Sequence, residues 1–172
     1  MGGRLDAVNA VDPDLVVITS IDLDHQAWLG DSREAIGREK AGILRYRGRA
    51  IVSDPNPPRS VLDRLAVLQC DWRLSDRDFA VKADRGKTFF SSGGPNWHRR
   101  SFLEQFEVNP GSPVQTRNLA GALAAVRSLE KSLPVGPEHV DALRGLAVRG
   151  RQERIDGEIP IWLDVGHNLE AV

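Results

Sequence analysis

The chain has 172 residues, 41% of them hydrophobic and 27% charged, with a formal net charge of -1. These are ordinary globular values, and they exclude a disordered acidic or basic tail as the dominant character. A chain of this length can bury a real core, and its near-neutral balance gives no global reason to expect nucleic acid as a partner. The pair Arg99-Arg100 reads as solvated surface. No charged-then-apolar leader opens the chain and no apolar run approaches the roughly 20 residues that span a bilayer, so neither secretion nor a membrane is expected. The single cysteine, Cys70, cannot make an intrachain disulfide; beside Val67-Leu68 it reads as a small core residue, consistent with a reducing, cytoplasmic setting.

Taken in chain order, Asp14 to Ile21 contains the β-branched run Leu15-Val16-Val17-Ile18, the composition of a strand covered on both faces. Asp31, with Glu34 three residues on, is expected to cap the next helix, along which Ala35, Ile36, Glu39, Lys40 and Ile43 recur at helical spacing up to Gly48. Arg49 to Ser53 reads as a strand, Pro55, Pro57 and Pro58 as a loop, Arg59 to Gln69 as a helix, and Trp72-Arg73-Leu74 as a further strand. Such βαβα alternation favours a parallel sheet with helices on its faces, and ligands bind such sheets beyond the carboxyl ends of the strands.

The pattern changes after Phe79. Phe79 to Lys82 and Thr88 to Phe90 flank Asp84-Arg85-Gly86-Lys87, which has hairpin turn chemistry, so antiparallel strands are expected, with Phe102 to Val108 as another on the sheet's edge. Asn118 to Leu133 carries Leu119, Ala122, Leu123, Val126 and Leu129 at helical spacing, and Pro137 opens a further helix with Val140, Leu143 and Leu146 on one face. After the basic and polar stretch Arg149 to Gly157, Ile159 to Val165 reads as a new strand, which places a domain boundary near Gly150.

Three spellings carry chemistry. Ile18 to His25 ends a strand on Asp22-Leu23-Asp24-His25, and Gly37-Arg38-Glu39-Lys40-Ala41-Gly42-Ile43 puts a lysine on the next helix, fifteen positions after His25. Alone, the histidine would be a hydrogen-bonded loop residue and the lysine a solvated helix face; the joint spelling points to one metal-nucleotide site. The other two are Gly2-Gly3-Arg4-Leu5-Asp6-Ala7 near the start and Asp164-Val165-Gly166-His167-Asn168 near the end.

Together these motifs resemble bacterial folylpolyglutamate synthase/dihydrofolate synthase, an ATP-dependent amide ligase of the Mur-ligase superfamily. The resemblance runs nearly end to end but covers only the middle of such an enzyme, and no G-x-x-x-x-G-K-[ST] phosphate loop occurs in these residues. It implies an α/β fold: a Mur-ligase-type central ATPase domain over 1–149, with a mostly parallel sheet between helices and an antiparallel subsheet, lacking its N-terminal part. Residues 150–172 then begin a Rossmann-like C-terminal glutamate-ligase domain. The strand at Leu15 to Ile21 would expose an unpaired edge, and the chain alone would be inactive.

The same resemblance implies the roles of individual residues. Lys40 matches a lysine that relatives carbamylate with carbon dioxide, turning a cation that cannot ligate a metal into an anion whose oxygens can. His25 matches a histidine ligand to magnesium, with Asp24 beside it as a second contact; by ligand softness alone a transition metal is equally plausible. Leu5, Asp6 and Ala7 occupy the segment that touches the pterin substrate in relatives, or form a turn entering a helix. Asn118 matches an asparagine used toward the nucleotide, or is the N-cap of its helix.

Gly150-Arg151 resembles the pair whose guanidinium meets ATP phosphates, although Gln152-Glu153 replaces the family's usual Phe-Gln. Asp164 and His167 resemble the nucleotide contacts of the second domain, although Leu169 replaces the family's proline. The implied reaction joins L-glutamate to dihydropteroate or a folate through an acyl phosphate, with ATP as co-substrate, Mg2+ as cofactor and a monomeric parent. The alternatives are another Mur-type ligase, which Gly-Gly-Arg-Leu-Asp argues against, and a degenerate scaffold that binds nucleotide without catalysis.

Overall fold

The computed structural model of the chain describes residues 3–84, 87–93, 97, 107–108, 116–132, 139, 149–150 and 153–165. The chain forms two compact units, residues 1–79 and 80–172. In the first, β1 (Val16–Ile18), β2 (Arg49–Val52) and β3 (Asp71–Leu74) form a sheet in the order β1-β2-β3. Both pairings are parallel, with Val16 opposite Ala50 and Ala50 opposite Trp72. Parallel strands need long crossovers. Here these are α1 (Gln26–Leu29) with α2 (Arg33–Lys40), and then α3 (Arg59–Val67), while short 3-10 turns occupy Ala7–Ala10 and Ala41–Ile43.

The core of this unit is a single cluster in which Val16, Ile18, Ala50 and Val52 of the sheet meet Ile36 of α2 and Val61 and Leu65 of α3. Ile36, Val61 and Leu65 are fully buried, and each such side chain contributes about 1.5–3 kcal/mol of transfer free energy. Central β2 is buried on both faces, as its unbroken apolar run requires. β1 departs from expectation: Val16 and Ile18 are buried but Val17 is 41% exposed. It is an edge strand, and its second face is not covered as that of β2 is.

Helix α2 also starts differently. Its N-cap is Ser32, whose side chain accepts from the Ala35 N–H, rather than Asp31. Glu34 caps the neighbouring helix: Oε1 accepts from the Arg59 N–H and Oε2 from the Ser60 N–H, both at 2.9 Å. Pro58, the residue at the N-cap of α3, provides no side-chain cap of its own. Gly37 lets the two helices approach, since a Cβ there would lie 2.7 Å from Ser60 Oγ and 3.0 Å from Pro58.

The Ser60 N–H first, and then that of Arg59, hold the Glu34 carboxyl below its ordinary value of 4.5. A depressed folded-state pKa gives a stabilisation that is full above the unfolded value and lost as pH falls through the folded one. Glu34→Ala is therefore expected to lower the Tm at neutral pH, and the gap from the parent should close on acidification. A gap that is constant from about pH 7 to pH 3 would show that the carboxylate charge is not what caps α3.

In the second unit, β4 (Phe79–Asp84), β5 (Lys87–Ser92) and β6 (Glu107–Val108) form a sheet in that order, with β5 antiparallel to β6. Helix α4 spans Thr116–Leu129, so Asn118 is its third residue and not its N-cap, which removes that reading. Leu119, Leu123 and Ala124 are its buried face. The helix expected from Pro137 lies outside the described residues. Glu153–Ile155 (β7) pairs antiparallel with Ile161–Leu163 (β8). The sequence reading found β8 but took β7 for a polar connection, because Glu153 and Arg154 hide the single apolar Ile155. The division at 79/80 separates parallel from antiparallel sheet and does not bear on the boundary expected near Gly150.

Candidate functional site

The loop after β1 leads to His25, which precedes α1 with φ 51, in the left-handed region. That conformation is uncommon outside glycine and is tolerated by polar residues that bond locally. Here the His25 N–H donates to Asp24 Oδ1 at 2.7 Å, and His25 Nε2 stands 3.7 Å from Asp24 Oδ2. Both side chains reach solvent. The pair thus offers an imidazole and a carboxylate side by side at the carboxyl end of a parallel strand.

Helix α2 packs on α1 and carries Lys40 as its last residue. Its neighbours in the motif are occupied by packing. Gly37 admits α3, and a Cβ on Gly42 would lie 2.4 Å from Arg4 Cβ and 2.8 Å from Arg4 Cα. Glu39 clamps the same residue, Oε2 accepting from the Arg4 N–H at 3.4 Å and Oε1 lying 3.2 Å from Arg4 Nε. Lys40 follows Ile36 and Gly37 by four and three residues, so it shares their inward face. It is half-buried and, among the described residues, its ammonium makes no hydrogen bond or ion pair.

Gly3 and Arg4 are therefore held against the lysine motif and α1. Gly3 has φ 114, a conformation open mainly to glycine, and a Cβ there would lie 3.1 Å from Leu29 Cδ2. Asp6 caps the 3-10 turn, its Oδ1 accepting from the Val8 N–H, so the turn reading of Leu5-Asp6-Ala7 holds locally. Leu5 is 92% exposed beside it. Arg45 fixes the other end of the turn by pairing with Asp12 and donating to the carbonyls of Asn9 and Ile43. Cys70 is half-buried against the core, its Sγ donating to the Arg45 carbonyl, and burial pushes its thiol pKa up, away from a nucleophile's.

In the second unit, Asn118 is exposed near the start of α4 and Asp164 is exposed after β8. Arg151 and His167 lie outside the described residues. The β7–β8 hairpin brings Gly150 to Val165, whose N–H donates to the Gly150 carbonyl at 2.8 Å. Gly150 has φ 68, and its own N–H donates to Glu153 Oε2. The residues flanking Arg151 and Asp164, separate in sequence, thus sit side by side.

Among the described residues no group of three His, Cys, Asp or Glu side chains could hold a metal ion. The Asp24–His25 pair and Lys40 are the first-unit residues carried by the motifs named above. Arg33 and Asp54, which tie the neck of the His25 loop, went unnoticed in the sequence. The available signal was Ser53-Asp54-Pro55 at the carboxyl end of β2, where open sheets bind ligands.

A parallel α/β unit with a strand-end Asp-His pair, a lysine-ended helix and a following antiparallel sheet is the architecture of part of a Mur-ligase-type enzyme. No family model matches the chain. The chain is 36% identical over 187 residues to dihydrofolate synthase/folylpolyglutamate synthase of Haemophilus influenzae, covering 99% of this chain and 40% of that protein. E. coli FolC in complex with DHPP and ADP superimposes with a TM-score of 0.81 at 33% identity, over 99% of this chain and 39% of that one. A bifunctional folylpolyglutamate synthase/dihydrofolate synthase with Mn, AMPPNP and L-glutamate bound gives 0.80 at 35%, with the same coverage. Over the length it spans, the chain is similar to dihydrofolate synthase/folylpolyglutamate synthase enzymes. That length is about 40% of the curated relatives it matches.

Proposed function

We propose that this chain is the central part of an ATP-dependent ligase that joins L-glutamate to dihydropteroate or a folate. In that reaction ATP phosphorylates the acceptor carboxylate, and the glutamate amine displaces phosphate from the acyl phosphate. The observation that carries the reading is Lys40: in a motif whose glycines and Glu39 are engaged by neighbouring segments, it is half-buried and, among the described residues, its amine is unengaged. An amine in that state can take up carbon dioxide, losing a proton to become an anionic carbamate.

His25 and carbamylated Lys40 are the proposed metal ligands, with Asp24 steadying the loop beside them. When bound, the magnesium supplies charge stabilisation on the transferring phosphoryl group. Leu5, Asp6 and Ala7 are assigned to the pterin substrate; the exposure of Leu5 beside a clamped backbone supports this. Asn118, Arg151, Asp164 and His167 are assigned to ATP, the arginine as a planar cationic fork on phosphate. The juxtaposition of Gly150 with Val165 supports grouping the last three. We place the domain boundary near Gly150 and the protein in the cytoplasm, acting as a monomer; no helix among the described residues is long and apolar enough to cross a membrane.

The test is glutamate incorporation by the intact protein with ATP and Mg2+, offered dihydropteroate, a folate or a peptidoglycan precursor. Incorporation into the first two and not the third is expected, and Asp164→Ala should raise the KM for ATP. Use of the peptidoglycan precursor, or no ATP-dependent ligation at all, would replace this reading with one of its two alternatives.

A further inference from the structure

The chain leaves β1 at Ile18, is fixed again at Ile21, and re-enters helix at Arg33. The eleven residues 22–32 between these points carry Asp24, His25 and α1. Ile21 is buried, and both of its peptide groups are taken by one ion pair. Its N–H donates to Asp54 Oδ2 at 3.0 Å, and its carbonyl accepts from Arg33 Nε at 2.7 Å. Arg33 Nη2 closes the ring on Asp54 Oδ2 at 3.0 Å and also donates to the Asn56 carbonyl. Asp54 Oδ1 accepts from the Asn56 N–H at 2.9 Å.

Asp54 is 5% exposed, and its carboxylate accepts three hydrogen bonds, from the Ile21 and Asn56 N–H groups and from Arg33. Such a network is worth more than an exposed ion pair, and costs more when one member is removed. It lies at the carboxyl end of the parallel sheet, and it joins the two ends of the loop: Ile21 at one, Arg33 at the other. A compact loop whose ends are held together presents its side chains from a fixed base.

We propose that Arg33 and Asp54 are positioning residues that clasp the neck of the 22–32 loop and so set where His25 stands for a divalent cation. The consequence for metal rests on the reading of His25 given above; the clasp itself rests only on these bonds. Groups that orient a ligand typically contribute 10–100-fold to metal affinity.

The experiment uses the intact protein and the variants Asp54→Asn, Arg33→Ala and Arg33→Lys, with Mn2+ as probe. Asp63→Asn, which removes the carboxylate of the exposed Arg59–Asp63 pair, is the control. Hydrogen exchange in residues 22–32 should accelerate about tenfold or more in Asp54→Asn while β3 and α3 keep their protection. Mn2+ affinity measured by electron paramagnetic resonance should fall about 10–100-fold, and ethylguanidinium should restore part of it in Arg33→Ala. Arg33→Lys keeps the charge but not the planar fork, so it should show a smaller loss and remain folded if Arg33→Ala does not. Unchanged exchange in 22–32, or acceleration spread equally over β3 and α3, overturns the clasp. A loosened loop with unchanged Mn2+ affinity keeps the clasp and removes His25 from the metal.

Discussion

On the proposed function, Lys40→Ala in the intact protein is expected to lower turnover by about 100- to 1,000-fold, the range for loss of one preorganised group that stabilises a transition state. The stability cost should be small, because no hydrogen bond or ion pair of the ammonium is lost among the described residues. Lys40→Arg should fare no better, since a guanidinium stays cationic and cannot take up carbon dioxide. Short-chain carboxylates should restore part of the activity of Lys40→Ala by supplying the missing anion. The carbamate is an anion beside the negative end of the α2 dipole, so it is expected to persist only with a divalent cation present. Labelled carbon dioxide followed by 13C NMR checks this; full activity in Lys40→Ala, or no label with Mg2+ and ATP bound, removes the carbamate from the mechanism.

The second large effect is expected from Gly42→Ala. The backbone of Gly42 is not in the left-handed region, so an L-residue can adopt its conformation. What the new methyl meets is the Arg4 main chain, at 2.8 Å from Cα, and a backbone cannot swing aside as a flexible side chain can. Overpacking of this kind costs about 1–3 kcal/mol. Relief comes by lifting the Gly3–Asp6 segment, which breaks the Arg4–Glu39 contacts and displaces Leu5, Asp6 and Ala7. A lowered Tm with a raised KM for the pterin substrate, and little change in the KM for glutamate, is the expected result. A Gly42→Ala protein that matches the parent in both would show that segment to be mobile enough to yield, and would detach it from substrate binding.

Much of the first unit was legible in the sequence because its signals are local. The runs at Val16 to Ile18 and Ala50 to Val52, and the helical spacing of Ala35, Ile36, Glu39 and Lys40, depend only on period and composition, and β1, β2 and α2 lie where these place them. The motif Gly37 to Gly42 was legible as a unit, with the lysine singled out by resemblance. Which of its members serve packing was not, because that depends on what each one faces. Gly42 answers to Arg4, 38 residues earlier, and Gly37 to Ser60 in the next helix.

The charged side chains mark the limit most clearly. Glu34 stands three residues after Asp31, the spacing of a capping box, yet it caps α3, because the packing of α2 on α3 puts two free N–H groups within its reach. Arg33 and Asp54 read as surface charges until the fold brings them together around Ile21 and buries Asp54. β7 exists because β8 offers it a partner, not because Glu153-Arg154-Ile155 has a strand's periodicity. The sequence by itself determined the alternation of strands and helices and the motifs that carry the resemblance, since both are written in neighbouring letters. Tertiary structure decided the caps, the clasp and the exposure of Val17, because the partner of each group is set by which distant segments the core brings together.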